Sequence, residues 1–285
     1  MTSIELRTKG IYPSLNNTEK KVADYFLEHI DDVFQLPIAD LAKQSGVSKA
    51  AWVRFSKTIG FDGLKALKKE LFSELNRSAN ETSPDIPFSD VGDAETIDEL
   101  IETAKNNSIR AIQDTATLLD PNSLELAAQK VLLAKSIRIF GVGASALVGE
   151  DLQSKLLRIN KNAIFILDHH LQLVYAANMT HRDVAVLISM SGRTKEVLEI
   201  LALAKASQTP VIALTQFGKN ELAQGADIVL HISAPEIPQR SGAMSSRLAQ
   251  LLAVDVLFSA VAHLDYENIS IYLEKSLNST LPHRQ

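Results

Sequence analysis

Two short segments of this 285-residue chain concentrate groups suited to holding an anion. In Ser189-Met190-Ser191-Gly192-Arg193-Thr194 three hydroxyls stand within six residues, beside one glycine and one guanidinium. Hydroxyls and free backbone N–H groups together can saturate the oxygens of a phosphate monoester. Arg193 either adds charge there or points to solvent. The second segment is Gly141-Val142-Gly143-Ala144-Ser145. Its glycines let backbone approach a ligand, and a helix starting there aims unpaired N–H groups at an anion. The Gly141-x-Gly143 pair is half of a dinucleotide fingerprint, lacks the third glycine at its spacing, and identifies nothing alone. A third segment, residues 238–247, sets Arg240, Ser245 and Arg247 before an apolar helix, placed to close over a ligand or to pair across a subunit interface. The plainer alternative for the Ser189–Thr194 loop is a capped helix start, because Ser and Thr favour such positions anyway. Two anion-competent loops behind two strands of one sheet favour the ligand reading.

A different chemistry sits upstream. Residues 43–77 carry eight basic side chains (Lys43, Lys49, Arg54, Lys57, Lys65, Lys68, Lys69, Arg77) against three acidic ones (Asp62, Glu70, Glu74). The whole chain has a formal charge of −5, so this basic patch is local. Such a distribution suits a modular DNA reader better than a uniformly acidic enzyme, although a solvated helix face gives the same count. Within it, residues 38–44 and 49–59 read as two helices joined by Ser45-Gly46-Val47, the outline of a helix-turn-helix with Val47 turned inward. Ser48, Lys49 and Ala50 begin the second helix and face bases or phosphates. Arg54 and Lys57 follow, and Lys65 and Lys68 extend the patch as phosphate contacts. A small helical dimerisation bundle is the competing reading.

The elements that must position these groups follow from periodicity. The first 77 residues read as helices only. Val22, Ala23, Phe26, Leu27 and Ile30 form one stripe over residues 18–30. Pro37 suits the first turn of the next helix, Ser48 caps the third, Gly60 ends it, and Leu64, Leu67, Leu71 and Leu75 mark a fourth. Residues 78–92, rich in Ser, Asn, Asp, Pro and Gly, read as a linker between a domain of residues 1–77 and one of residues 93–285. Helices are expected over residues 94–119 and 121–134. Five short apolar strands then alternate with helices: 136–140, 163–167, 183–188, 210–214 and 227–232, with helices over 146–158, 169–178, 195–206 and 220–224. That alternation predicts a doubly wound five-stranded parallel sheet flanked by helices. Helices over 246–264 and 269–277 close the chain.

Taken together the motifs resemble the MurR/RpiR family of bacterial regulators, a helix-turn-helix domain followed by a SIS (sugar isomerase) domain. The resemblance covers nearly the whole chain. It rests on Val47-Ser48, Val53-Arg54-Phe55, Gly60-Phe61-Asp62-Gly63-Leu64 and Leu67-Lys68, and on the Gly141–Ser145 and Ser189–Thr194 loops. It implies an all-α DNA-binding domain, an α/β sensor domain that dimerises, and a sugar phosphate held by Ser145, Ser189, Ser191 and Thr194. The residues near Gly143–Gly149 and Arg240–Arg247 look most like members that sense amino-sugar phosphates, such as N-acetylmuramic acid 6-phosphate or N-acetylmannosamine 6-phosphate. Two positions depart from the pattern: Ala51 replaces a Ser or Thr, and Trp52 replaces a small β-branched residue. Trp52 is a core residue or a groove contact, and aromatics at helical spacing usually pack.

The competing function is a sugar-phosphate isomerase or lyase on the same sheet. It would need a base beside the substrate carbon, with Glu150, Glu196, His169 and His170 as candidates. The reader helix favours a regulator without catalytic residues. No cofactor and no metal are expected: there is no cysteine, and the histidines lack ligand spacing apart from the adjacent His169-His170. The absent cysteines fit a cytoplasmic protein. The first ten residues do not form a signal peptide, and apolar stretches such as 248–254 look too short to cross a bilayer. The expected partners are an operator DNA, a sugar-phosphate effector and a second copy of the chain.

Overall fold

In the N-terminal unit caps and glycines set the helix boundaries as much as apolar stripes do. The computed structural model describes residues 3–78, 96–233 and 244–280, in two units. The first unit opens with α1 (Ser3–Ile11), a helix that periodicity did not announce although Ile4 and Ile11 are buried one heptad apart. Helix α2 (Asn17–Glu28) starts in a capping box, Asn16 accepting from the Glu19 N–H while the Glu19 carboxylate accepts from the Asn16 N–H. The helix expected over residues 18–30 ends earlier than its stripe. His29, at φ −133° and ψ 50°, breaks it, and Ile30 begins α3 (Ile30–Gln35). No proline or glycine stands at the break, so nothing local signals it.

Helix α4 (Ile38–Gln44) is preceded by Pro37, which is its N-cap and not a first-turn residue. After Ser45 the chain turns at Gly46, whose φ of +64° belongs to the left-handed region that glycine adopts without strain. The Val47 N–H reaches back to the Ala42 carbonyl at 3.1 Å, and both side chains pack on the core, a Schellman closure that fixes the angle to the next helix. Helix α5 (Lys49–Thr58) begins under the Ser48 hydroxyl, which accepts from the Ala51 N–H at 3.2 Å. Gly60, at φ +94°, follows it, and α6 (Leu64–Ser78) completes the unit. Phe26, Leu41, Trp52, Phe55, Ile59 and Leu67 are fully buried in its core.

The second unit is a parallel sheet between helical layers. Its elements are α7 (Ile97–Leu118), α8 (Pro121–Leu133), β1 (Ile137–Gly141), α9 (Ala144–Arg158), β2 (Ala163–Phe165), α10 (His169–Ala177), β3 (Val184–Ile188), α11 (Lys195–Ala206), β4 (Val211–Gln216), α12 (Glu221–Gly225), β5 (Ile228–Ile232), α13 (Met244–Leu264) and α14 (Tyr266–Thr280). The strand order is β2-β1-β3-β4-β5, with every pairing parallel. Each central strand divides its apolar residues between two layers, as covering on both faces requires. Val184, Val186 and Ile188 join Ile212 and Leu214 in the layer of α8, α9 and α13, while Ala185, Leu187, Val211 and Ala213 face α10 and α11. Towards the amino ends of the strands, the Arg138 guanidinium donates to the Asn178 carbonyl at 3.1 Å and lies 3.4 Å from buried Asp183. Helix α13, at 21 residues, is long and apolar enough to cross a membrane by length and composition, more so than the short apolar run 248–254 suggested. Its Ala249, Ala253, Val254, Leu257 and Val261 are instead buried in the core on the sheet.

Candidate functional site

Strand order decides where the two anion-competent loops lie. β1 has β2 on one side and β3 on the other, and β4 and β5 continue beyond β3. The winding therefore reverses between β1 and β3, which opens a crevice at their carboxyl ends. In that pairing Gly141 stands opposite Ile188, so the Gly141–Ser145 and Ser189–Thr194 loops leave neighbouring strands at the same height.

The first loop turns at Gly143, the N-cap of α9, at φ +59° and ψ −128°, a conformation that a side chain rarely tolerates. Gly141 is closely covered, since a β-carbon there would meet the Ser145 carbonyl oxygen at 3.1 Å. Gly143 itself offers no side-chain cap, so the first N–H groups of α9, at Ala144 and Ser145, have no capping side chain at the crevice end of the helix. Ser145 is buried, and its Oγ lies 3.1 Å from Nε2 and 3.3 Å from Oε1 of Gln250 on α13.

The second loop is held by its own hydroxyls. Ser189 Oγ and Thr194 Oγ1 are 2.7 Å apart, Ser189 Oγ accepts from the Gly192 N–H at 3.2 Å, and Ser191 Oγ accepts from the Arg193 N–H at 3.2 Å. Thr194 is the N-cap of α11 yet its hydroxyl does not cap the helix. The first turn of α11 thus keeps its positive end for an anion. The Arg193 side chain is 64% exposed and lies 3.6 Å from Glu221, so it faces solvent. A second row of groups backs this loop. The Thr215 hydroxyl donates to the Met190 carbonyl at 3.3 Å, and the Leu222 N–H donates to the Gly192 carbonyl at 3.0 Å. Fully buried Gln172 donates through Nε2 to the Gly141 carbonyl at 3.2 Å and the Ile166 carbonyl at 2.6 Å, tying β1 to the end of β2.

Of the third segment, Arg240 lies outside the described residues. Ser245 is buried in the first turn of α13, and Arg247 is half-buried two residues further on. Among the acid–base candidates, Glu150 and His170 are exposed, Glu196 is half-buried in the first turn of α11, and His169 Nε2 lies 3.6 Å from Glu199. Gln172, Asn220 and Gln250 escaped the sequence reading. Gln172 and Gln250 are polar residues in largely apolar stretches, which is a visible signal, whereas Asn220 stands in a polar turn and gives none; the loop that each supports is distant in the chain.

In the N-terminal unit α5 has two faces. Ala51, Trp52, Phe55 and Ser56 are buried, while Lys49, Ala50, Val53, Arg54 and Lys57 are exposed, with Ser48 exposed at the N-cap. Trp52 is therefore a core residue, and its Nε1–H donates to Ser45 Oγ at 2.9 Å across the turn. Val53, 36% exposed between basic neighbours, is the apolar member of the polar face that the sequence reading passed over. Lys65 is exposed on α6. Lys68, expected as a phosphate contact, has its ammonium bound to the Leu36 carbonyl, and burial draws it below the ordinary lysine value.

Residues 4–78 match the model of the rpiR-family helix-turn-helix domain, and residues 131–260 match the SIS domain model. A helix-turn-helix-type transcriptional regulator of Caldanaerobacter subterraneus is 35% identical over 97% of this chain and 96% of its own length. The regulator HexR of Pseudomonas aeruginosa is 31% identical over 95% of this chain and 93% of its own. Among solved structures, the Vibrio vulnificus NanR protein complexed with ManNAc-6P is 29% identical, with 98% of each chain covered and a TM-score of 0.61.

Proposed function

Because the chain belongs to the RpiR family of transcriptional regulators, which join a helix-turn-helix domain to a SIS domain, we propose that a phosphorylated amino sugar controls its binding to an operator. The observation that carries the effector half is the pairing of Gly141 with Ile188. Two helix N-termini without side-chain caps, and the hydroxyls of Ser145, Ser189, Ser191 and Thr194, would then line one crevice. Backbone N–H groups near Gly143 and Ala144 would supply further donors to a phosphate, and Gly192 lets the second loop turn beside it. Ser245 and Arg247 would close the site from the first turn of α13, with Arg240 a few residues earlier in the sequence. The N-acetylmannosamine 6-phosphate in the NanR complex supports an amino-sugar 6-phosphate as the effector class.

On the DNA side, α5 is the reader. Ser48, Lys49 and Ala50 would enter the major groove first, Arg54 would pair with a guanine or a phosphate, and Lys57 and Lys65 would neutralise backbone. Exposed Val53 suits the methyl group of a thymine. Two chains on a pseudo-palindromic site would place two such helices one helical turn apart. Effector and operator are then linked through two arrangements of the dimer, and a coupling of ~1–3 kcal/mol changes operator affinity about 5- to 150-fold. Catalysis has no part in this scheme.

The decisive experiment is a thermal-shift screen of the purified protein against sugar phosphates, their unphosphorylated parents and inorganic phosphate. Stabilisation by one amino-sugar phosphate, with no effect of its parent, is the expected result. Conversion of that ester in the same tube, followed by NMR, would replace the sensor with an isomerase or lyase. No shift with any ester would remove the effector half.

A further inference from the structure

Gln250 is 2% exposed and sits on the face of α13 that otherwise buries Ala249, Ala253, Val254 and Leu257. An apolar side chain there would be cheaper, because burying an amide costs free energy unless it is hydrogen-bonded. The amide is turned instead onto one atom of the anion loop: Nε2 lies 3.1 Å and Oε1 3.3 Å from Ser145 Oγ. A serine hydroxyl has a single proton and two lone pairs. While Oε1 accepts that proton, Ser145 has none to give to a ligand. While Nε2 donates to a lone pair, the proton is free to turn outward into the crevice. A carboxamide is a neutral side chain that can play both parts.

Resting on the reading of this crevice as a phosphate site, we infer that Gln250 is a positioning residue that sets the direction of the Ser145 proton. With the crevice empty, the hydroxyl donates to Oε1. With a phosphate oxygen in place, the hydroxyl donates to the oxygen and keeps the Nε2–H as its own donor, which strengthens the charged hydrogen bond by polarisation. A Ser145 supported in this way keeps its proton for the ligand, so the site favours a group rich in acceptors, such as a phosphate dianion. The exchange also alters the hydrogen bonding of α13, the helix that follows the Arg240 segment. Gln250 never needs to touch the ligand.

The test is a double-mutant cycle read by calorimetric affinity for N-acetylmannosamine 6-phosphate, with the thermal unfolding of each variant checked in parallel. Ser145→Ala should weaken binding about tenfold. Gln250→Leu should weaken it about threefold to tenfold in the parent chain and leave it unchanged in Ser145→Ala, because Gln250 acts only through that hydroxyl. Gln250→Glu, which captures the proton and adds a negative charge, should weaken it more than Gln250→Leu despite nearly identical shape. Equal losses from Gln250→Leu with and without the Ser145 hydroxyl would overturn the inference while leaving the site intact. An unchanged affinity in Ser145→Ala, or no binding by the parent chain, would overturn the site reading and this inference with it.

Discussion

The Oδ1 of Asn220 fills the space beside Gly192 so closely that a β-carbon on the glycine would stand 1.9 Å from it. The same β-carbon would lie 2.8 Å from the Thr215 hydroxyl, and Gly192 has a φ of +63°. Asn220 cannot simply swing away, because its Oδ1 accepts from the Ala223 N–H at 2.8 Å and its Nδ2 donates to the Gln216 carbonyl at 3.2 Å. Gly192→Ala is therefore expected to destabilise the sheet unit by ~2–4 kcal/mol, from the left-handed backbone and the overpacking together. Denaturant melts would show it. A midpoint equal to the parent's would mean that the loop has room that the geometry denies.

Loss of the loop hydroxyls should act on binding and spare the fold. Ser191 Oγ accepts from a single loop N–H, and Thr194 Oγ1 bonds Ser189 Oγ, so neither carries the sheet. Each hydrogen bond to a charged phosphate contributes ~1.5–3 kcal/mol. Ser191→Ala and Thr194→Ala should each weaken the sugar phosphate about tenfold or more, with little movement of the unliganded melting temperature. Titration calorimetry that finds the parent affinity in both variants would move the phosphate elsewhere.

Arg54 and Trp52 are two residues apart on α5 and should fail in opposite ways. Arg54 is exposed, so Arg54→Ala should keep the helical circular dichroism and lower operator affinity. It should also reduce the salt slope of binding by ~1 if the contact is to phosphate. Trp52 is buried and bonded to Ser45, so Trp52→Ala should cost ~3–5 kcal/mol and lose operator binding together with the helical signal. Gel shifts showing full operator binding by Arg54→Ala would mean that α5 is not the reader.

Lys65 and Lys68 separate charge from anchoring. Lys65 is exposed, and Lys65→Ala should lower the salt slope by about 1 without changing stability. Lys68 is held by the Leu36 carbonyl, so Lys68→Ala should cost ~0.5–1.5 kcal/mol of stability and leave the slope alone. A slope reduced by Lys68→Ala at parental stability would restore it to the DNA face.

Much of this protein is written locally. The alternation of short β-branched runs with helices announced five parallel strands, and the observed strands differ from the expected ones mainly at their ends, as β3 (Val184–Ile188) does by one residue. Ser48 capped its helix and Gly46 supplied the turn as their chemistry required. The two anion loops could be picked out because glycines and hydroxyls at helix starts act within a few residues of themselves. The helix α1, the break at His29 and the fate of Lys68 could not, because each depends on what packs alongside and no residue type marks it. Only the tertiary structure decided that β1 lies between β2 and β3, so that Gly141 meets Ile188 and the two loops leave neighbouring strands at the same height. The same holds for Gln250, 105 residues from Ser145 in the chain, and for Asn220 against Gly192. Periodicity reports which face of an element is buried. It carries no record of which element lies against that face, and the site consists of such pairings.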